Sequence, residues 1–177
     1  MVVVPRMVKR AEDLGVLYAS DDWAPLSDIT LGLLLKRAGI QCRYVPDLGI
    51  TEAVWPPVCG VHVMHLDRAQ SPGERRLAVR HGLGHVLADH VADVIFSHDG
   101  HDPMGLEETI ADHFALVDLI SNRQLGDLRK ARYTREEMER WSMCEIRRYA
   151  PRWSSDRVLD RAYLRVQAFL IPSPREV

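Results

Sequence analysis

Two histidines four residues apart, His81 and His85, are followed 23 residues later by Glu108, and no other feature constrains the fold as much. The stretch Arg80-His81-Gly82-Leu83-Gly84-His85 lies in a helical pattern, where a spacing of four projects both imidazoles from one face. Glu108 lies in a second helical pattern, one turn before Asp112. For these side chains to meet, the two helices must pack together with the three groups turned toward each other. Two histidines and one carboxylate are the protein donors of a catalytic zinc site. Such sites usually carry a glutamate directly after the first histidine as general base, and that place is taken here by Gly82.

The helix bearing the histidines has a clear start. In Ser71-Pro72-Gly73-Glu74, Ser71 can cap, Pro72 suits the first turn and Glu74 completes a capping box. The pattern runs to about residue 94 and predicts a loop over 97–105 and a second helix over 106–120. Gly84 costs a helix about 1 kcal/mol relative to alanine, a cost that makes sense if another backbone or a substrate must come close. Asp112 is placed to accept the outer N–H of a ligating histidine and fix its tautomer.

The flanking segments predict an α+β fold. A first helix is expected over 5–19. A second is expected from a Ser27 cap to a Gly39 stop, with Ile29, Leu33 and Leu34 apolar. Residues 40–46 and 60–66 alternate as strands, and Trp55-Pro56-Pro57 between them demands a turn or a sheet edge, since proline cannot donate to a ladder. Beyond the second ligand helix, Gly126 reads as a break. Thr134-Arg135-Glu136-Glu137 reads as the start of a helix ending before Pro151, and a last helix is expected over 155–170, with Pro172 and Pro174 ending the order. Met138, Trp141, Cys144 and Ile146 form the expected buried stripe of these C-terminal helices. The division expected is a domain over 1–121 and a helical extension over 122–177.

Composition narrows the class. With 46% hydrophobic and 27% charged residues, the chain reads as an ordinary globular protein. No apolar run is long enough to span a membrane, and the opening Met1–Pro5 is too short for a secretory signal. Three widely spaced cysteines, Cys42, Cys59 and Cys144, argue for a reducing compartment, so a cytoplasmic location is expected. The net charge of −2 conceals an asymmetry: residues 1–121 carry 10 basic against 17 acidic side chains, and residues 122–177 carry 13 against 8. The basic tail is expected to dock on the acidic body. Direct contact with nucleic acid through 122–177 is the alternative, although no glycine turn suits a helix-turn-helix.

These residues carry a family resemblance. Glu74-Arg75-Arg76-Leu77-Ala78-Val79-Arg80-His81-Gly82-Leu83-Gly84-His85 and Glu108-Thr109-Ile110-Ala111-Asp112-His113-Phe114-Ala115, followed by an apolar run, resemble the ImmA/IrrE family of bacterial and phage metallopeptidases. That family has an Arg-rich entry into His-Glu-x-x-His, then Glu-x-x-Ala-(Asn/Asp)-x-Phe-Ala. The resemblance spans residues 8–121. It implies a zincin-like domain, with helices packed on a small bent sheet and the metal between two helices at its edge. Zn2+ would be held by His81, His85 and Glu108, with Asp112 in support. It also implies a protein substrate, a transcriptional repressor in a prophage, mobile element or stress response. Two departures stand out: Ser121 replaces the proline that closes the family's apolar run, and Gly82 replaces its general base.

Losing a general base costs typically 10²–10⁴-fold in rate, or about 3–5 kcal/mol. The expectation is therefore a zinc-binding protein with impaired peptide hydrolysis. The rival is a pseudopeptidase that binds a regulator without cutting it, and a third reading has zinc only tying the helices together. Glu107 neighbours a ligand and points about 100° away from it on a helix, so it does not replace the base. His62 and His65, at odd spacing, fall on opposite faces of a strand. His90, His98 and His101 read as surface or loop residues, and His113 turns away from Glu108.

Overall fold

The computed structural model describes residues 28–46, 52–58, 61–92 and 106–171, with side chains over 31–46, 61–86 and 108–171. The expected first helix, the 97–105 loop with His98 and His101, Cys59 and the terminal prolines lie outside the described residues. The side chains of His90 and Glu107 lie outside them too.

Within that range the chain forms an α+β fold. Helix α1 (Asp28–Arg37) is followed by strands β1 (Ile40–Val45), β2 (Glu52–Val58) and β3 (Val61–Asp67). Helices α2 (Pro72–Ala92), α3 (Leu106–Leu119), α4 (Asn122–Lys130), α5 (Arg135–Tyr149) and α6 (Ser155–Leu170) follow. Helix α1 stops at Gly39, whose φ of 69° is a conformation that glycine adopts without a Cβ penalty.

The strands form one sheet in the order β1-β3-β2, with β1 parallel and β2 antiparallel to β3. Edge strand β2 contains Pro56 and Pro57, and its register against β3 slips between Trp55 and Val58. Two residues without an N–H are tolerated there because only one side of the strand is paired.

Two apolar clusters meet at the ligand helices. Leu31, Ile40, Met64, Leu66, Val79 and Leu83 join α1 and the sheet to α2. On the other side, Leu116, Ile120, Leu125, Met138, Ile146 and Val158 join α3 to the C-terminal helices. From Ala111 to Val117 every residue of helix α3 is buried. A helix so enclosed holds its polar side chains in place as firmly as its apolar ones.

Two expectations about the C-terminal helices are corrected. Gly126 does not break the chain; it lies inside α4. Ser121 accepts from Gln124 N, and the Gln124 side chain accepts from Ser121 N, so a complete capping box starts the helix five residues earlier. The reversal comes instead at Arg132, the one described non-glycine residue with positive φ (64°), where Tyr133 N donates to Leu128 O. Cys144 is exposed, not part of the buried stripe. Met138, Ser142 and Ile146 are the buried residues of α5, and Cys144 lies about 200° round the helix from Ser142.

Candidate metal centre

The first ligand helix begins as its residues dictate: Ser71 N donates to Glu74 Oε2 at 2.9 Å, and Glu74 N donates to Ser71 Oγ at 3.2 Å. Ten residues on, His81 and His85 stand with ring centroids 4.7 Å apart, edge to face. Helix α3 delivers Glu108 in its first turn, where the positive end of the helix dipole favours a carboxylate.

That meeting depends on Gly84. A Cβ there would lie 3.0 Å from Ala111 Cα and 3.2 Å from Ala111 O, so the two helices touch backbone to backbone. The close approach anticipated for Gly84 is therefore made by the partner helix. Arg80 fastens the same contact: it is fully buried, donates to Phe114 O at 3.3 Å and lies 4.6 Å above the Phe114 ring. Burial lowers its pKa, and the negative charge of Asp118 opposes that effect.

One Glu108 oxygen serves each histidine. His81 Nε2 lies 3.3 Å from Oε2, and His85 Nε2 lies 3.3 Å from Oε1. The imidazoles of His81 and then His85 facing it hold the Glu108 carboxyl well below the usual carboxylate range, against the opposing effect of partial burial. His81 is buried, whereas the Glu108 side chain is 54% exposed, so the group opens to solvent on the α3 side.

One ligand atom from each of His81, His85 and Glu108 falls within 4.8 Å of the others, so this group could hold a metal ion. Donors about 2.0–2.1 Å from a tetrahedral zinc stand about 3.3 Å apart, and each imidazole nitrogen here has one of the two Glu108 oxygens at that separation. Two imidazoles and one carboxylate also suit zinc by chemistry.

Asp112 comes to His81 too, but not to its outer nitrogen. Oδ1 lies 3.3 Å from His81 Nε2, the atom that also faces Glu108. Sequence reasoning missed what holds Asp112 there. Arg157 Nη2 donates to Oδ1 at 2.7 Å, Arg157 Nε to Oδ2 at 3.3 Å and Arg161 Nε to Oδ2 at 2.6 Å. Arg157 also lies 4.0 Å above the Trp153 ring, and its Nη2 is 4.0 Å from Glu108 Oε2. The available signals were the charge asymmetry and the spacing of four between the two arginines on α6. Neither indicates which carboxylate they reach.

The basic tail docks on the acidic body at a second place. Arg152, in the α5–α6 turn, pairs with Asp67 at 3.4 Å and Glu74 at 3.5 Å. Beside it is a small recess lined by Leu77, Ala78, His81, Ala150 and Trp153. Gly82 is buried on α2, so the position after the first histidine offers no carboxylate. His113 is fully buried. Among the described residues, no helix is long and apolar enough to cross a membrane.

Compared with protein-family profiles, curated proteins and solved structures, the chain matches none.

Proposed function

We propose that this chain is a zinc-binding protein of the ImmA/IrrE metallopeptidase type, acting on a transcriptional repressor or another regulator with impaired hydrolysis. The observation that carries the reading is the convergence of His81, His85 and Glu108 from two helices. His81, His85 and Glu108 would hold the ion, and Glu108 also leaves the open side toward solvent. Zinc in such a setting supplies Lewis acidity and makes water a better nucleophile at neutral pH. The chain's own residues supply the rest. Leu77, Ala78 and Trp153 line a shallow, partly apolar recess next to His81. Gly82 takes no proton, so the step a carboxylate performs at that position is missing.

The absence of that carboxylate favours a second reading, in which the protein binds a regulator and does not cut it. The deciding experiment has two stages. Elemental mass spectrometry of protein purified without added metal should find about one zinc per chain, lost in His81→Ala. Zinc-free, folded wild-type protein would defeat the metal reading. Gly82→Glu is then assayed on a mixed fluorogenic peptide library beside the wild type. A gain of about 100-fold or more supports an impaired peptidase. No cleavage by either protein supports the binding reading, and unfolding on chelation would mark a structural ion.

A further inference from the structure

Asp112 is as close to the metal-facing nitrogen of His81 as Glu108 is, at 3.3 Å in each case. Distance alone would make it a fourth donor. Its other partners set the two carboxylates apart. Arg157 Nη2 stays 4.0 Å from Glu108 Oε2, whereas both Asp112 oxygens accept charge-assisted hydrogen bonds, at 2.7 Å and 2.6 Å. Asp112 is fully buried and the Arg161 side chain only 16% exposed, so solvent does little to screen this contact. Arg157 is steadied by stacking on Trp153.

We infer that Arg157 and Arg161 are positioning residues of the centre, holding the Asp112 carboxylate beside His81 and out of the coordination sphere. The inference rests on the metal reading above. A carboxylate whose lone pairs and charge are engaged by two guanidinium groups is a weak donor to a cation. Two positive charges this close also oppose a divalent ion. Keeping Asp112 out leaves a fourth position open, the property that separates a reactive or ligand-binding site from a closed structural one. The C-terminal helices thereby belong to the centre, although they supply none of its three ligand atoms.

The test uses the full chain and Co2+. Visible absorption reports coordination, and competition with a chromophoric chelator reports affinity. The Arg157→Gln/Arg161→Gln double variant should bind Co2+ about tenfold or more tightly than the wild type, with altered d–d bands as the freed carboxylate enters. Adding Asp112→Asn should return both readouts toward the wild type. A double variant with wild-type bands and affinity would overturn the inference. Wild-type protein that takes up no Co2+, or whose uptake survives His85→Ala, would defeat the metal reading itself and this inference with it. If the double variant does not fold, Arg157→Gln alone carries the test: a smaller change in the same direction supports the inference, and none overturns it.

Discussion

Helices α2 and α3 and helices α4 to α6 start by the same local rules, yet they bury their surfaces very differently. Ser71 and Glu74 cap α2 in the same way that Thr134 and Glu137 cap α5. Beyond the caps the likeness ends. Beyond its exposed first turn, helix α3 is enclosed and keeps Asp112 and His113 fully buried, while α2 buries Arg80 and His81. Helix α5 buries one stripe, Met138, Ser142 and Ile146, and leaves its charges in water. Burying charged and polar groups costs several kcal/mol unless each is paired. Helices α2 and α3 carry most of that cost, although α6 also buries Arg165, which donates to Ile120 O and Asn122 Oδ1. Helix α6 repays part of it by sending Arg157 and Arg161 to Asp112.

The sharpest way to break this contrast is to remove the buried anion. Asp112→Ala leaves two guanidinium groups facing a buried void, and unfolding in urea should show a loss of about 3–5 kcal/mol. A loss under 1 kcal/mol would mean the arginines find other partners and α6 is only loosely tied to the centre.

Next in size is the helix contact. Gly84→Val forces a side chain against the Ala111 backbone, 3.0 Å from where a Cβ would sit. It should cost about 1–3 kcal/mol in the same assay and weaken metal uptake by parting Glu108 from the histidines. Unchanged stability would show that α2 and α3 can separate without penalty.

A cap in the outer region should matter less. Thr134→Ala removes the hydroxyl that accepts from Glu137 N and should lower stability by about 1 kcal/mol. Metal content should stay unchanged, and a loss of metal here would tie α5 to the centre more closely than its contacts do. The smallest effect has the opposite sign. Gly126 has nothing within 4 Å of an added Cβ, so Gly126→Ala should raise stability by about 0.5–1 kcal/mol. A decrease in melting temperature would show that α4 needs the freedom of glycine.

Much of this was legible before folding, where the determinants lie within a few residues of one another. The caps at Ser71 and Thr134, the stop at Gly39, the demand of Pro56 and Pro57 for a turn or an edge and the shared face of His81 and His85 follow from local stereochemistry. The errors also have local causes. Gly126 looked like a break because glycine is a poor helix former, but the Ser121–Gln124 box and the buried Leu125 outweigh that penalty. Cys144 looked buried because it is small and apolar, although the stripe already passes through Ser142 and Ile146.

The sequence by itself therefore determined where helices start, which side chains share a face and which three groups could meet. Tertiary structure alone decided that α6 crosses to Asp112 and that Asp112 faces the same nitrogen of His81 as Glu108. The reason is that i, i+4 spacing and caps act over a few ångströms along one helix, whereas an ion pair between residues 45 apart in sequence depends on how separate helices pack. Packing is chosen by the whole apolar surface at once, and no single stretch of residues encodes it.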